Sequence, residues 1–306
     1  MERVVVIGSG TMAAGIVAGF VASGFSVVVL GRDAERARLS LEAGRQIARR
    51  LGGGPDDASC HATGILDDWS DWQGVVWVLE TVAEDLDLKR RVFASLDVRV
   101  PPHIAVGSNS SGFPISRIAQ GLATRRRMFN AHCFMPAHLV PLVEVALGTD
   151  SDPALGEAVC DLYRRAGKRP VLVRKDIPGF LGNRIQHALM REALALIDSG
   201  IASPDDVDAA VRYSFGFRYA AAGPVLQKEL SGWDSMARAA QEIYPSLSNT
   251  DRLAGCVAER IAAGKTGMKA GEGFRRWSAE EIASERAAYE TRLKAAFDVL
   301  NMDARP

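Results

Sequence analysis

The sequence predicts an α/β protein, with a doubly wound, mostly parallel sheet over residues 1–175 and an all-α domain over 176–306. Three observations predict it. Short β-branched runs alternate with helical patterns through the first half. A glycine-rich turn joins the first strand to the first helix. After Lys175, Val, Ile and Thr thin out and long amphipathic stretches take over. The expected strands are Arg3–Ile7, Ser26–Leu30, Val75–Leu79, Ile104–Ser108, Arg127–Ala131 and Pro170–Val173, and strands at this spacing with helices between them form parallel sheets. The helices expected between them are Met12–Ser23, Glu35–Leu51, Leu86–Leu96, Ile115–Gly121 and Pro153–Ala166. Gly52–Asp57, with its glycine run and Pro55, reads as a surface loop. In the second half, helices are expected over Phe180–Asp198, Val257–Ala263 and Ala279–Asn301. Ser203-Pro204-Asp205-Asp206 has the makings of another helix start: a capping hydroxyl, a proline in the first turn, and acids beside the positive end of the dipole.

Composition narrows the class. The chain has 306 residues, 47% of them apolar and 24% charged, enough to build a core in each of two domains. Lys+Arg and Asp+Glu both number 37, which argues against a general nucleic-acid binder. Four cysteines, Cys60, Cys133, Cys160 and Cys256, show no paired spacing, so reduced thiols in a cytoplasmic protein are expected, with neither a metal site nor a disulfide framework. Val4–Gly31 carries no charge and superficially resembles a signal or membrane segment. Its glycines and its split into two β-branched clusters instead fit a strand–turn–helix–strand buried on all sides, so no membrane partner is expected.

Gly8-Ser9-Gly10-Thr11-Met12-Ala13 carries the first chemical signal. The first glycine permits a tight turn, the second lets the backbone approach a pyrophosphate, and small Ala13 lets the helix pack closely on the strand. The helix N-terminus then offers free N–H groups to the phosphates. A G-x-G-x-x-A match is weak alone, but this one has the strand before it and the helix after it that a Rossmann-type dinucleotide site requires. At the end of the second strand, where an acid would accept the ribose hydroxyls of NAD, stands Gly31, followed by Arg32. Loss of the carboxylate and gain of a guanidinium point towards the 2′-phosphate of NADP, with Arg36 a turn further on able to help. Two other readings stay open: Asp33 reaching back to the ribose, or Arg32 and Asp33 forming a solvated helix start.

Several separated blocks, in order and nearly end to end, resemble the L-3-hydroxyacyl-CoA dehydrogenase family, including its lambda-crystallin-like branch acting on free hydroxy acids. They are Gly8–Gly15, Ser108-Asn109-Ser110-Ser111, His132 through Pro141-Leu142-Val143-Glu144, Asp176-Ile177-Pro178-Gly179-Phe180 with Asn183, and Gly267-Met268-Lys269-Ala270-Gly271-Glu272-Gly273-Phe274. The resemblance assigns His132 and Glu144 as the catalytic pair and Ser111 and Asn183 as the substrate-binding serine and asparagine. The residue types suit the chemistry. Hydride leaves a hydroxyl-bearing carbon readily only if the hydroxyl proton departs too, which calls for a base titrating near neutrality. A carboxylate folding back past Pro136 and Pro141 would fix the imidazole tautomer and stabilise the protonated ring. A hydroxyl and an amide can hydrogen-bond the reacting oxygen and the acyl carbonyl without adding charge. Structural roles compete: Ser111 as a helix cap, Asn183 as a polar residue at a helix start. Glu80, Lys89 and Asn109 are further candidate cofactor contacts, and His138 reads as a turn residue. Where the family commonly has Asn, this chain has Met135, which removes a polar contact near the expected nicotinamide.

The expected reaction is reversible hydride transfer between NAD or NADP and the 3-hydroxyl carbon of a 3-hydroxyacyl-CoA, a step of fatty-acid metabolism. The alternative substrate is a free 3-hydroxy acid, a sugar acid or a carnitine-like compound. Phe217-Arg218-Tyr219-Ala220 before Gly223-Pro224 is similar to the lambda-crystallin-like branch, and Arg218 could pair bidentately with a carboxylate. It could equally cap a helix or pair across a dimer. Arg125-Arg126-Arg127 is the candidate cluster for CoA phosphates, or a solvated turn. Of a different class is an inactive cofactor-binding, crystallin-like protein. A lysine-dependent reductase is a further reading, which would make His132 dispensable. The family resemblance implies a homodimer, and the apolar faces of the helical domain agree with one.

Overall fold

The computed structural model describes residues 1–53 and 57–301, so Gly54–Asp56 of the expected loop lie outside the described residues. By Cα proximity the chain divides into two compact units, Met1–Arg184 and Ile185–Pro306.

The first unit holds an eight-stranded sheet. Its strands are β1 (Arg3–Ile7), β2 (Ser26–Gly31), β3 (Ala62–Ile65), β4 (Val75–Glu80), β5 (Ala105–Ser108), β6 (Met128–Cys133), β7 (Leu142–Leu147) and β8 (Arg169–Val173). Their spatial order is β3-β2-β1-β4-β5-β6-β7-β8. All pairings are parallel except β6 with β7. Five helices connect the strands: α1 (Thr11–Ala22), α2 (Ala34–Arg50), α3 (Leu86–Arg99), α4 (Ile115–Ile118) and α5 (Pro153–Arg165).

Alternate residues of one strand enter opposite layers of core. Val4 and Val6 of β1 pack with α1, α2 and α5, while Val5 and Ile7 face the layer holding Phe93 and Leu96 of α3. A strand covered on both faces has no polar side, which explains the unbroken apolar runs. The strand order reverses between β1 and β4, which opens a crevice at their C-terminal ends.

Three expectations change. β3 and β7 were not foreseen, and β6 runs on to Cys133, so His132 lies within the strand and not after it. β7, Leu-Val-Glu-Val-Ala-Leu, hides its strand character behind Glu144, a charge at the centre of an otherwise apolar run. α4 is a single turn where seven residues were expected; the Arg117 carbonyl at its end accepts from Arg90 Nε (3.0 Å), and Gly121 turns away at φ +80°.

Across the unit boundary runs α6 (Gly182–Asp198). The second unit continues with α7 (Pro204–Tyr213), α8 (Phe215–Tyr219), α9 (Pro224–Ser231), α10 (Trp233–Ile243), α11 (Gly255–Ala262) and α12 (Ala279–Asn301). α7 begins as its sequence foretells, with Ser203 and Asp206 capping one another reciprocally. No helix among the described residues is long and apolar enough to cross a membrane.

Candidate active site

The turn after β1 is shaped for close approach. Gly8 adopts φ +117°, and a Cβ there would lie 2.6 Å from Thr81 Oγ1. Thr81 itself, just past β4, donates through N and Oγ1 to Ile7 O (2.7 and 3.0 Å). Gly10 caps α1 without a side-chain hydrogen bond, and a Cβ on it would meet nothing within 4 Å. The mouth of the turn is therefore open, and the first amides of α1 face it. Residues 7–12, with Gly31 and Arg32 across from them, line a cleft of about 820 Å³. The size and the open helix N-terminus fit a dinucleotide, which Gly8, Gly10, Thr11, Met12 and Ala13 would hold by backbone and close packing.

Asp33 is committed elsewhere. Its carboxylate accepts from Arg36 N (2.9 Å) as the N-cap of α2. Arg32, Arg36 and Arg91 line the same cleft, and among the described residues none of the three makes an ion pair.

Glu80 and Lys89 turn to each other inside the fold. Lys89 Nζ lies 3.0 Å from Glu80 Oε1, and the residues are 1% and 0% exposed. Burial pushes the Glu80 carboxyl up, opposed by the Lys89 charge and by donors from Ser108 (2.6 Å) and Val82 N. Lys89 also reaches Glu84 Oε2 (3.3 Å). Glu84, which the sequence reading passed over, accepts on Oε1 from Ser110 Oγ (2.6 Å) and from Ser111 N and Gly112 N (3.0 Å each). A charge ladder from the end of β4 thus braces the loop that carries Ser111. Its sequence signal was an acid five residues before Lys89. Asn109 is a brace as well, its Oδ1 accepting from Cys133 N (2.9 Å).

His132 and Glu144 face each other directly across the antiparallel β6–β7 pair. Nδ1 of His132 lies 3.1 Å from Glu144 Oε2, with the residues 3% and 0% exposed. The imidazole is flanked by Phe134 (ring centroids 4.5 Å apart) and Phe180 (5.7 Å). The other carboxylate oxygen accepts from Leu181 N and Gly182 N, both at 2.8 Å, where α6 begins. Burial raises the Glu144 carboxyl, but the His132 hydrogen bond and the two amides outweigh it, and its pKa is lowered overall. This carboxylate stays ionised at neutral pH and holds Nδ1 as a donor, which leaves Nε2 to accept a proton.

Asn183 follows Gly182 directly, and its Nδ2 donates to Ser111 O (3.3 Å). The four residues expected to act together are therefore joined by contacts: His132 to Glu144, Glu144 to the start of α6, and Asn183 on α6 to Ser111. Arg218 lies in α8, in the second unit, with no ion-pair partner among the described residues. The basic run 125–127 is already occupied. Arg125 pairs with Asp150 and Arg126 with Asp152, while Arg127 is buried and donates to the carbonyls of Pro101, Ile104 and Val100. His138 sits half-buried in the β6–β7 turn.

Among proteins built on such a sheet, a dinucleotide turn at the switch point and a carboxylate-backed imidazole on the same edge belong together in nicotinamide-dependent oxidoreductases, and this protein is one. Residues 3–177 match the family model of the 3-hydroxyacyl-CoA dehydrogenase NAD binding domain, and residues 179–277 that of its C-terminal domain. The chain belongs to the 3-hydroxyacyl-CoA dehydrogenase family. It is 32% identical over 304 residues to the 5-formyl-3-hydroxy-2-methylpyridine 4-carboxylate 5-dehydrogenase of Mesorhizobium japonicum, covering 98% of each chain. It is 35% identical over 256 residues to an L-carnitine dehydrogenase of Streptomyces coelicolor, covering 81% of this chain and 80% of the relative. A crystal structure of a 5-formyl-3-hydroxy-2-methylpyridine 4-carboxylic acid 5-dehydrogenase, described as an NAD+ dependent dismutase, superposes with a TM-score of 0.89 at 30% identity, covering 98% of this chain and 99% of the other.

Proposed function

We propose that the protein oxidises the hydroxyl-bearing carbon of a small free hydroxy acid, with His132 as the proton acceptor and Glu144 as its orienting carboxylate. The observation that carries this reading is the buried His132–Glu144 contact at 3.1 Å, on the same sheet edge as the dinucleotide turn. The bound nicotinamide would supply the hydride acceptor. The chain's own residues do the rest. His132 Nε2 takes the hydroxyl proton, and Glu144 stabilises the imidazolium that forms. Ser111 and Asn183 hold the substrate oxygens, and Phe134 and Phe180 keep water from the imidazole.

Of the two expected substrates, this reading favours the free acid over the CoA thioester. The relatives named above act, by their names, on a pyridine carboxylate and on L-carnitine, and neither is a thioester. The arginines considered for CoA phosphates are occupied by Asp150, Asp152 and backbone carbonyls. Arg218, with no ion-pair partner among the described residues, is the residue that would bind the acid. For the cofactor, the reading favours the 2′-phosphorylated form. Gly31 offers no acid to the ribose, Asp33 is spent on α2, and three guanidinium groups without an ion pair among the described residues line that part of the cleft. The second unit supports a homodimer. From Ile185 to Leu300 only Ala193 is buried, while Phe217, Leu230 and Trp233 are exposed, and helices of such composition need a partner surface.

The test is a panel of free 3-hydroxy acids against their CoA thioesters, read by reduction of NAD+ or NADP+, with wild type and Arg218→Met. Turnover of a free acid, with KM raised at least about tenfold by the substitution, is the expected result. Turnover of the thioesters alone overturns the free-acid reading, and no turnover with tight cofactor binding favours the inactive crystallin-like protein.

A further inference from the structure

The described residues include one with a side chain in the left-handed region, and it lies against the reacting pair. Phe180 has φ +50°, directly after Gly179 at φ +77°. Such a conformation is natural for glycine and strained for a bulky residue, and it persists only where surrounding structure imposes it. Here the ring is fully buried, packed with Ala146 of β7 and Val173 of β8 and lying 5.7 Å from the His132 ring. Two successive left-handed residues swing the chain back towards β7. The next two amides, Leu181 N and Gly182 N, then converge on one oxygen, Glu144 Oε1.

We propose that Phe180 is a positioning residue for the His132–Glu144 pair: its left-handed backbone aims both amides at Glu144. The proposal rests on the proton-transfer reading of that pair. An undistorted chain at 180 would carry the amides off, leaving Oε1 buried without donors. Glu144 would then be held only from the His132 side. The titratable group facing Glu144 is His132 on β6; its neighbour on β8 is Val171, and the start of α6 presents amides alone. Because those amides favour the ionised carboxylate, losing them makes Glu144 take up a proton at higher pH.

Replacement at this one position separates backbone from ring. Phe180→Val disfavours positive φ, because its Cβ is branched. Phe180→Gly removes the ring and tolerates the conformation. With the Val variant, the acid limb of the Glu144 carboxyl titration, followed by carbon NMR, should move to higher pH and kcat should fall at least about tenfold, while cofactor Kd stays near wild type. With the Gly variant the acid limb should stay in place. A folded Val variant with the wild-type acid limb overturns the proposal, as does a Gly variant shifted as far as Val. Should the Val variant fail to fold, Phe180→Ala replaces it: Ala and Gly lose the same ring and differ in tolerance of positive φ. A higher acid limb in Ala than in Gly supports the proposal, and equal limbs refute it. His132→Gln run alongside separates the two readings. Full turnover there sinks the proton-transfer reading and Phe180's role with it. A dead His132→Gln beside an unshifted Val variant sinks only the role of Phe180.

Discussion

Glu144→Gln probes the pair most directly, because the amide has the carboxylate's shape without its charge. Glu144 uses both oxygens as acceptors, Oε2 towards His132 Nδ1 at 3.1 Å and Oε1 towards Leu181 N and Gly182 N at 2.8 Å. A glutamine has one acceptor oxygen and one NH2 donor, so neither orientation fits. With its oxygen on the two amides, its NH2 faces Nδ1, forces that nitrogen to accept, and puts the ring proton on Nε2, where the substrate proton should go. Flipped, it keeps the correct tautomer but presses an NH2 against two backbone N–H groups. Loss of one hydrogen bond to a charged group costs about 1.5–3 kcal/mol, or roughly 10- to 150-fold in rate. The wrong tautomer can extend the loss to about 10⁴. The expected kcat is therefore roughly 10²- to 10⁴-fold lower, with cofactor affinity unchanged by fluorescence titration. The variant also changes acid stability. A carboxyl with a lowered folded pKa contributes stability that is full above its unfolded value, about 4.3, and is lost as pH falls through the folded value. Stability of Glu144→Gln should thus fall less steeply below about pH 4. A Glu144→Gln enzyme with more than about a third of wild-type kcat would show that its charge is irrelevant to turnover.

Two further substitutions test other parts of the structure. Arg32→Asp should weaken NADPH binding roughly 10- to 150-fold by removing a charged contact to the 2′-phosphate, and improve NADH by offering the ribose an acid; an unchanged NADPH/NADH ratio in paired titrations argues against that contact. Lys89→Met leaves Glu80 buried without its cation, so urea unfolding should show a loss of about 3–5 kcal/mol, whereas a loss below about 1 kcal/mol would mean that Ser108 and Val82 alone suffice for Glu80.

Local patterns determined much of this protein. The β1–turn–α1–β2 unit, the capping of α7 and the change to helices after Lys175 were all legible, because strand and helix periods, glycine turns and caps are written in neighbouring residues. His132, Glu144, Ser111 and Asn183 could be picked out as candidates too, through separated blocks in a family order. Their assembly was not legible. That His132 and Glu144 meet depends on the register of an antiparallel pair whose second strand, β7, is disguised by the very charge it presents. That Arg127 is spent on carbonyls and Glu84 on the Ser111 loop depends on partners up to 30 residues away. A side chain's commitments follow from which surfaces the packed sheet brings together, and burial makes those commitments binding, since a desolvated charge must find its donors within the fold.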